Sequence, residues 1–331
     1  MNNNKIPSDQ LILAGVDAIY QAQSAAAILI KKERETILSE VTTSKVDNIT
    51  RDLDKMVEAG ARLSLYSHFN KTIYSSSLVV WGEESIADRK QKGNEEVDFS
   101  GETRTVALLD MIDGTDLVYR DLSNWCSAIV FFYPPEREIL ATLVGTPAGL
   151  VYCADAVEAF SMKLCRKTHF KTCFGDKRTL RVPPHQPPLD QSGICFYGQK
   201  SRNLLSLSGI RFPAELRVGE FNLDSMFASF TQSKPPFRIY NLGGNPMMVK
   251  VADGTMQAVF ELLGQKPHDV VPGAYIARMA GAVVKDLNGA NLKLEETLVK
   301  PNVGDLRYVI ASSEGLYSEL LGHLRPTPSS K

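Results

Sequence analysis

LLDMIDGTDLVYRDL, residues 108–122, sets carboxylates where an apolar strand should end. From Val106 to Ile112 six apolar residues are interrupted only by Asp110, and Asp113, Gly114, Thr115 and Asp116 follow. Burying an unpaired charge is costly, and the group neutralises unless something compensates it. If Val106–Ile112 is a strand, Asp110 lies near its carboxyl end and Asp113 just beyond, where α/β layers place ligands. Two carboxylates converging at a turn repel each other unless something positive lies between them. Hard divalent cations take oxygen ligands, and Mg²⁺ is typically held by a few carboxylates with water and phosphate. Gly114 and Thr115 offer backbone N–H groups where a helix can begin, an arrangement suited to an anion. The competing reading is a plain Asp-Gly turn, with Asp113 making an Asx-turn or capping a helix.

Two other stretches pair with this one. WGEES, residues 81–85, ends an apolar run in a glycine and two acids, which alone reads as solvated loop charge. HDVVPGAYIARMAGA begins at His268, and Asp269 has the type and place of an N-cap, with Pro272 in the first turn. An N-cap aspartate can also face a metal.

Composition limits the alternatives. The chain has 331 residues, 44% hydrophobic and 23% charged, which suits one large domain or two smaller ones. A formal net charge of −1 argues against nucleic-acid binding by bulk electrostatics, so an anionic substrate needs a locally built site. Five cysteines without a CxxC pair, and five scattered histidines, fit neither a disulfide framework nor a zinc knuckle. A reducing cytoplasm fits. The N-terminus lacks a signal pattern, and no run approaches 18 apolar residues, so no membrane partner is expected.

Along the chain, Ser8 or Asp9 caps a helix through residues 11–32, and a second helix begins near Thr50. Strands follow at 77–84, 105–113, 125–134, 139–147 and 149–156, with a polar surface loop expected over 87–102. The Pro-rich stretch 182–193 is the best boundary, which divides the chain into 1–185 and 186–331. Beyond it strands alternate with helices, including one expected within 220–230, as in an α/β half. Cys126 and Ser127 lie on an apolar strand and read as core.

The ordered pieces GEES (82–85), DMIDGT (110–115) and HDVVPG (268–273) resemble the inositol monophosphatase family of metal-dependent, lithium-sensitive phosphatases. That family shows G-E-E, then D-P-I/L-D-G-T, then W-D-x-A-A-G. The resemblance implies an α/β (α+β) fold, a layered αβαβα sandwich of the inositol monophosphatase / fructose-1,6-bisphosphatase type, often a homodimer. It implies that Glu83, Asp110 and the Ile112 carbonyl hold one Mg²⁺, that Asp110, Asp113 and Asp269 hold a second, and that a third sits near Glu83. Thr115, Asp54 and Glu83 would form the catalytic set, Thr115 orienting water with support from Asp54 or, as the competing assignment, Asp52. Asp113, Gly114 and Thr115 would meet the phosphate, and Gly243, Gly244, Asn245 and Glu261 the alcohol.

The chain departs from that pattern. Met111 replaces proline, and His268 replaces the tryptophan before Asp269. Gly244-Asn245 replaces small residues, and Glu261 precedes Asp269 by eight residues instead of seven. The departures near Gly244 and Glu261 touch the substrate side. The expected reaction is hydrolysis of a small phosphomonoester, such as an inositol or sugar phosphate, by metal-activated water. Two ions roughly 3.5–4 Å apart can clamp the attacking and leaving oxygens. Alternatives with the same metal motifs are fructose 1,6-bisphosphatase and 3′(2′),5′-bisphosphate nucleotidase activity. A non-catalytic member should have lost metal carboxylates, yet Glu83, Asp110, Asp113 and Asp269 are all present.

Overall fold

A computed structural model describes residues 5–43, 46–86, 96–119, 122–164, 177–184, 187–196, 238–301 and 304–324. Helices α1 (Ser8–Thr43) and α2 (Val46–Phe69) open the chain. α1 runs beyond the expected end at residue 32, and α2 starts at Val46, not near Thr50. Leu11, Ala14, Ala18 and Ala22 of α1, with Leu53, Val57, Ala61 and Leu65 of α2, are all buried. Their three- and four-residue steps give each helix one apolar stripe. Over 8–31 α1 has the length and apolar composition to cross a membrane, yet half of that window is buried inside the protein. Its stripe is core: it clusters with Ala107, Leu109, Ile129 and Phe131 on one face of the first sheet.

That sheet has seven strands in chain order: β1 (Leu78–Gly82), β2 (Thr105–Asp113), β3 (Cys126–Tyr133), β4 (Glu138–Gly145), β5 (Leu150–Asp155), β6 (Ala159–Lys163) and β7 (Arg178–Thr179). Among the described strands of this sheet only β1 and β2 pair in parallel. The short helix α3 (Thr115–Tyr119) follows β2. The second sheet takes the order β11-β12-β10-β8-β9. It is built from β8 (Gly193–Phe196), β9 (Arg238–Tyr240), β10 (Ala258–Gln265), β11 (Val283–Lys285) and β12 (Leu306–Ala311). The helix expected within 220–230 lies outside the described residues.

Helices α4 (Asn245–Ala252) and α5 (Pro267–Met279) fill the space between the sheets. Met248, Val251, Val270 and Ala274 cluster there with Val106, Leu108 and Val130 of one sheet and Val259 and Ile310 of the other. The short α6 (Leu294–Thr297) follows, and α7 (Glu314–Leu324) covers the far face through Leu316 and Leu320. Each sheet is therefore apolar on both faces and needs a helical layer on each. The result is the layered αβαβα sandwich. One core joins material from both sides of the Pro-rich stretch 182–193. Of the polar loop expected over 87–102, the described part is anchored: Val97 and Phe99 are buried, and Phe99 N–H donates to the Val299 carbonyl at 2.8 Å.

One irregularity positions the chemistry. Side chains alternate along a strand, so residues three apart face opposite sides. On β2, Asp110 pairs with Ala128 while Asp113 pairs with Cys126, so three steps on β2 match two on β3. This is a β-bulge, one extra residue on one strand. The core records the same break. Val106 and Leu108 join the inner cluster, Ala107 and Leu109 the outer one, and then Met111 and Ile112 both join the outer. Asp113 thereby returns to the face that carries Asp110. The Met111 carbonyl, inside the bulge, accepts the hydroxyl of Ser127 at 2.8 Å. Ser127 is buried as expected, but it supports the bulge as well as filling core.

Ser127→Ala should leave that buried carbonyl unsatisfied and cost about 1–3 kcal/mol. Calorimetry should show a thermal midpoint lower by several degrees. An unchanged midpoint would remove Ser127 from the support of the bulge.

Candidate active site

Four elements bring five carboxylates to one place. Gly82 pairs with Leu109 across the parallel β1–β2 ladder, so Glu83 emerges beside Asp110. Asp54 comes from α2 and Asp269 from α5. Asp110 is buried and raised well above the ordinary carboxylate range, first by desolvation and then by Glu83, Asp113, Asp269 and Asp54. Burial and the neighbouring Asp269 push Asp113 up to about 7, against the opposing hydrogen bonds from Asn245. Burial and Glu83 push Asp54 up to about 8.

Glu83 is held by a contact that the sequence does not announce. Glu58 of α2 is buried over Gly82, where a Cβ would come 1.7 Å from its carboxyl carbon. Only glycine permits that approach. The Glu58 carboxylate accepts the Glu84 N–H at 3.2 Å, the Ser85 hydroxyl at 2.5 Å and the Arg62 guanidinium at 2.8 Å. The helical turn over 83–86 is thus pinned to α2. The only trace in sequence is the glycine before the acids.

Asn245 is the second such residue. It was expected to face the substrate alcohol, but none of its surface is exposed. Its backbone N–H and its Nδ2 donate to Asp113 Oδ2 at 3.2 and 3.1 Å. Nδ2 also donates to the His268 carbonyl at 3.4 Å, and Oδ1 accepts the Gly273 N–H at 2.7 Å. The cause is Pro272, which sits in the body of α5, beyond the expected first turn. In a regular helix its N–H would serve the carbonyl of His268; proline has none, and the asparagine amide takes that place. Gly273 must be glycine, since a Cβ would lie 2.9 Å from Asn245 Oδ1 and 2.8 Å from Met248 Cβ. Gly244 precedes the asparagine at φ +73°, with its Cβ position 3.2 Å from Asp113 Oδ2. Gly243 is buried beside it.

Asp269 is not the N-cap of α5. Lys266 holds that place, and Asp269, three residues on, accepts the Lys266 N–H at 3.2 Å through Oδ2. Its Oδ1 lies 3.3 Å from His268 Nε2, which is 3.7 Å from Glu83 Oε1. Burial pulls His268 down, but Asp269 and Glu83 outweigh it and raise the imidazole to about 9. Glu261, expected to face the substrate alcohol, is also buried. It is 1% exposed, and its Oε1 accepts the N–H groups of Leu263 at 2.6 Å and Gly264 at 3.2 Å.

Thr115 meets the acid expected of it. Its Oγ1 lies 3.2 and 3.1 Å from the two oxygens of Asp54 and 3.0 Å from the Ile112 carbonyl. A hydroxyl has one proton, so it donates to one of them at a time. The Asp52 side chain lies outside the described residues. Gly114 turns the chain out of β2 at φ +98°, and its carbonyl receives the first helical N–H groups, from Leu117 and Val118. Cys126 is buried with Sγ 3.7 Å from Asp113 Oδ2. The donor set of Glu83, Asp110, Asp113, Asp269 and the Ile112 carbonyl is all oxygen. Its mutual repulsion is what a hard divalent cation relieves, so the residues fit Mg²⁺.

Asn245→Ala should strand the His268 carbonyl and the Gly273 N–H and free Asp113. A loss of roughly 2–4 kcal/mol of stability, with weaker divalent-ion binding by calorimetry, is expected. The pH dependence has a definite sign. Asp54 and Asp113 titrate in the folded state above the ordinary 3.8, and His268 above 6.5. The folded metal-free protein therefore holds protons that the unfolded chain has lost, and its stability falls as pH rises. Its thermal midpoint should drop between about pH 5 and about pH 8, and Mg²⁺ should raise the midpoint most at the alkaline end. A metal-free midpoint that rises over this window would contradict the burial of these acids.

Comparison with known proteins bears on this centre. A search of curated proteins found no sequence match. Among solved structures, the Staphylococcus aureus inositol monophosphatase II with 2′-AMP bound is 17% identical, with 93% of this chain and 91% of that chain covered and a TM-score of 0.59. An inositol monophosphatase of Thermotoga maritima is 14% identical, over 93% and 94%, with a TM-score of 0.59. A Pyrococcus horikoshii protein with similarities to inositol-1 monophosphatase is 16% identical, over 94% and 96%, with a TM-score of 0.61. At these identities the likeness is one of fold. The family profile reaches further, matching residues 14–327, and the chain belongs to the inositol monophosphatase family.

Proposed function

We propose that this chain hydrolyses a small phosphomonoester with the help of Mg²⁺. The observation that carries the reading is the convergence of Asp54, Glu83, Asp110, Asp113 and Asp269, with Asp54, Asp110 and Asp113 raised by burial and by repulsion from their neighbours. The family's phosphatases are metal-dependent, generally on Mg²⁺, which supports it. Glu83, Asp110, Asp113, Asp269 and the Ile112 carbonyl would hold the ions. Bound there, a pair of divalent cations supplies hydroxide near neutral pH and offsets the charge of the phosphoryl group.

The chain's own residues supply the positioning. Asp54, once ionised, accepts the Thr115 proton and leaves the Thr115 oxygen lone pairs free to receive a proton from the attacking water. Gly114 and Thr115, at the start of α3, offer backbone N–H groups to phosphate oxygens. Asn245 holds Asp113 Oδ2 from behind and keeps that carboxylate turned toward Asp110. No side-chain nucleophile is invoked; burial pushes the Cys126 thiol well above its usual range, which keeps it protonated.

The substrate reading is a small phosphorylated alcohol, sugar or inositol. The staphylococcal relative has been solved with 2′-AMP and with inositol monophosphate, and a dual-specific inositol monophosphatase/NADP phosphatase with D-inositol 1-phosphate. All present a phosphomonoester to the same fold. The 2′-AMP complex also favours a second reading, a 3′(2′)-phosphorylated nucleotide such as adenosine 3′,5′-bisphosphate. Phosphate release across inositol 1-phosphate, fructose 1,6-bisphosphate, adenosine 3′,5′-bisphosphate and glycerol 2-phosphate, with and without Mg²⁺, separates these. Release should require Mg²⁺, and Asp113→Asn should lose roughly 100-fold in turnover while remaining folded. Metal-independent release, or full turnover in the variant, would sink this mechanism.

A further inference from the structure

His268 gives this centre something the oxygen set lacks. The corresponding position in the family motif is tryptophan, an apolar side chain that offers no metal ligand. Here an imidazole, 7% exposed, lies against two of the expected metal ligands. Nε2 is 3.3 Å from Asp269 Oδ1 and 3.7 Å from Glu83 Oε1. Both separations exceed the roughly 2.7–2.9 Å of a close charge-assisted hydrogen bond. The three ligand atoms lie within 4.8 Å of one another. Ligands on a common ion with bonds of about 2.0–2.2 Å stand roughly 3–4 Å apart, so one cation can reach all three after a small adjustment. On the other side of the ring, Nδ1 is buried and has no hydrogen-bond partner among the described residues. Among the described residues the ring's polar contacts are thus with these acids.

We propose that Glu83, His268 and Asp269 form a mixed nitrogen–oxygen site that takes a transition-metal dication in preference to Mg²⁺. The inference rests on the reading that the carboxylate centre holds divalent ions, and it specifies which ion suits one position. Mg²⁺ favours oxygen and keeps its water, whereas imidazole suits borderline ions such as Zn²⁺ and other first-row dications. Coordination needs a bare Nε2, so its proton passes to solvent on binding. The alternative is that the imidazolium stands between the acids as a fixed cation and keeps an ion out.

The test uses the full-length, metal-stripped protein with Mn²⁺ as a spin probe and Zn²⁺ as an affinity probe. Pulsed electron paramagnetic resonance should show nitrogen coupled to bound Mn²⁺, with the signal changing character in protein grown on ¹⁵N-histidine. His268→Gln should abolish the coupling and weaken Zn²⁺ by roughly tenfold or more, with a smaller effect on Mg²⁺. The isotope experiment needs no variant, so it stands even if His268→Gln folds poorly. Mn²⁺ bound without nitrogen coupling overturns the inference but leaves the carboxylate metal centre in place. Tighter Zn²⁺ binding in His268→Gln also overturns it and identifies the imidazolium as an excluding cation. No bound divalent ion at all overturns this inference and the phosphatase reading together.

Discussion

Repulsion among buried carboxylates is the constraint around which this molecule is arranged. Five acids from four elements face one space, and burial denies Asp54, Asp110 and Asp113 the water that would screen them. A protein gains no stability from such a cluster unless protons or cations enter it. In the metal-free protein Asp54, Asp110 and Asp113 hold protons to higher pH than free carboxyls, and Asp269 and Glu83 hold His268 as a cation. The same cluster, given divalent ions, becomes a receptor for phosphate.

Holding such groups together demands supports that are themselves satisfied. The β2 bulge turns Asp113 to the side of Asp110, and Ser127 closes the bulge from the neighbouring strand. Asn245 binds Asp113 with two N–H groups and repairs the gap that Pro272 makes in α5. Glu58 reaches from α2 across Gly82 and fixes the turn that carries Glu83. Each support joins a different pair of elements, so the site is braced by the layered sandwich as a whole. Its centre lies where β1, β2, α2 and α5 meet, and the shared core between the sheets keeps α5 at that meeting point.

Much of this was legible in the residues. The run from Val106 to Ile112 with Asp110 inside it, then Asp113-Gly114-Thr115, showed a strand end carrying misplaced charge. Two opening helices were expected and are present, though with other bounds, and Thr115 and Asp54 meet as expected. Expectations changed at several residues of the site. Asn245 and Glu261 were placed toward substrate because they matched a family segment, but Asn245 is buried against Asp113 and the backbone of α5, and Glu261 is buried with Oε1 accepting two backbone N–H groups. Asp269 was read as an N-cap from residue type, and it sits three positions further in, where Oδ2 accepts the Lys266 N–H and Oδ1 lies beside His268.

The sequence by itself determined which chemistry the chain can hold: the number of acids, their place at an apolar strand end and the glycines beside them. Local patterns carry that information because burial and turn formation depend on neighbours a few residues apart. The tertiary structure alone decided which acids meet and how they are aimed. A bulge shows only against the partner strand, and Asn245 acquires its role only when Asp113 and the Pro272 gap come together from 132 and 27 residues away. Distances of that kind are set by packing two sheets around α4 and α5, and no short-range spacing in the chain encodes them.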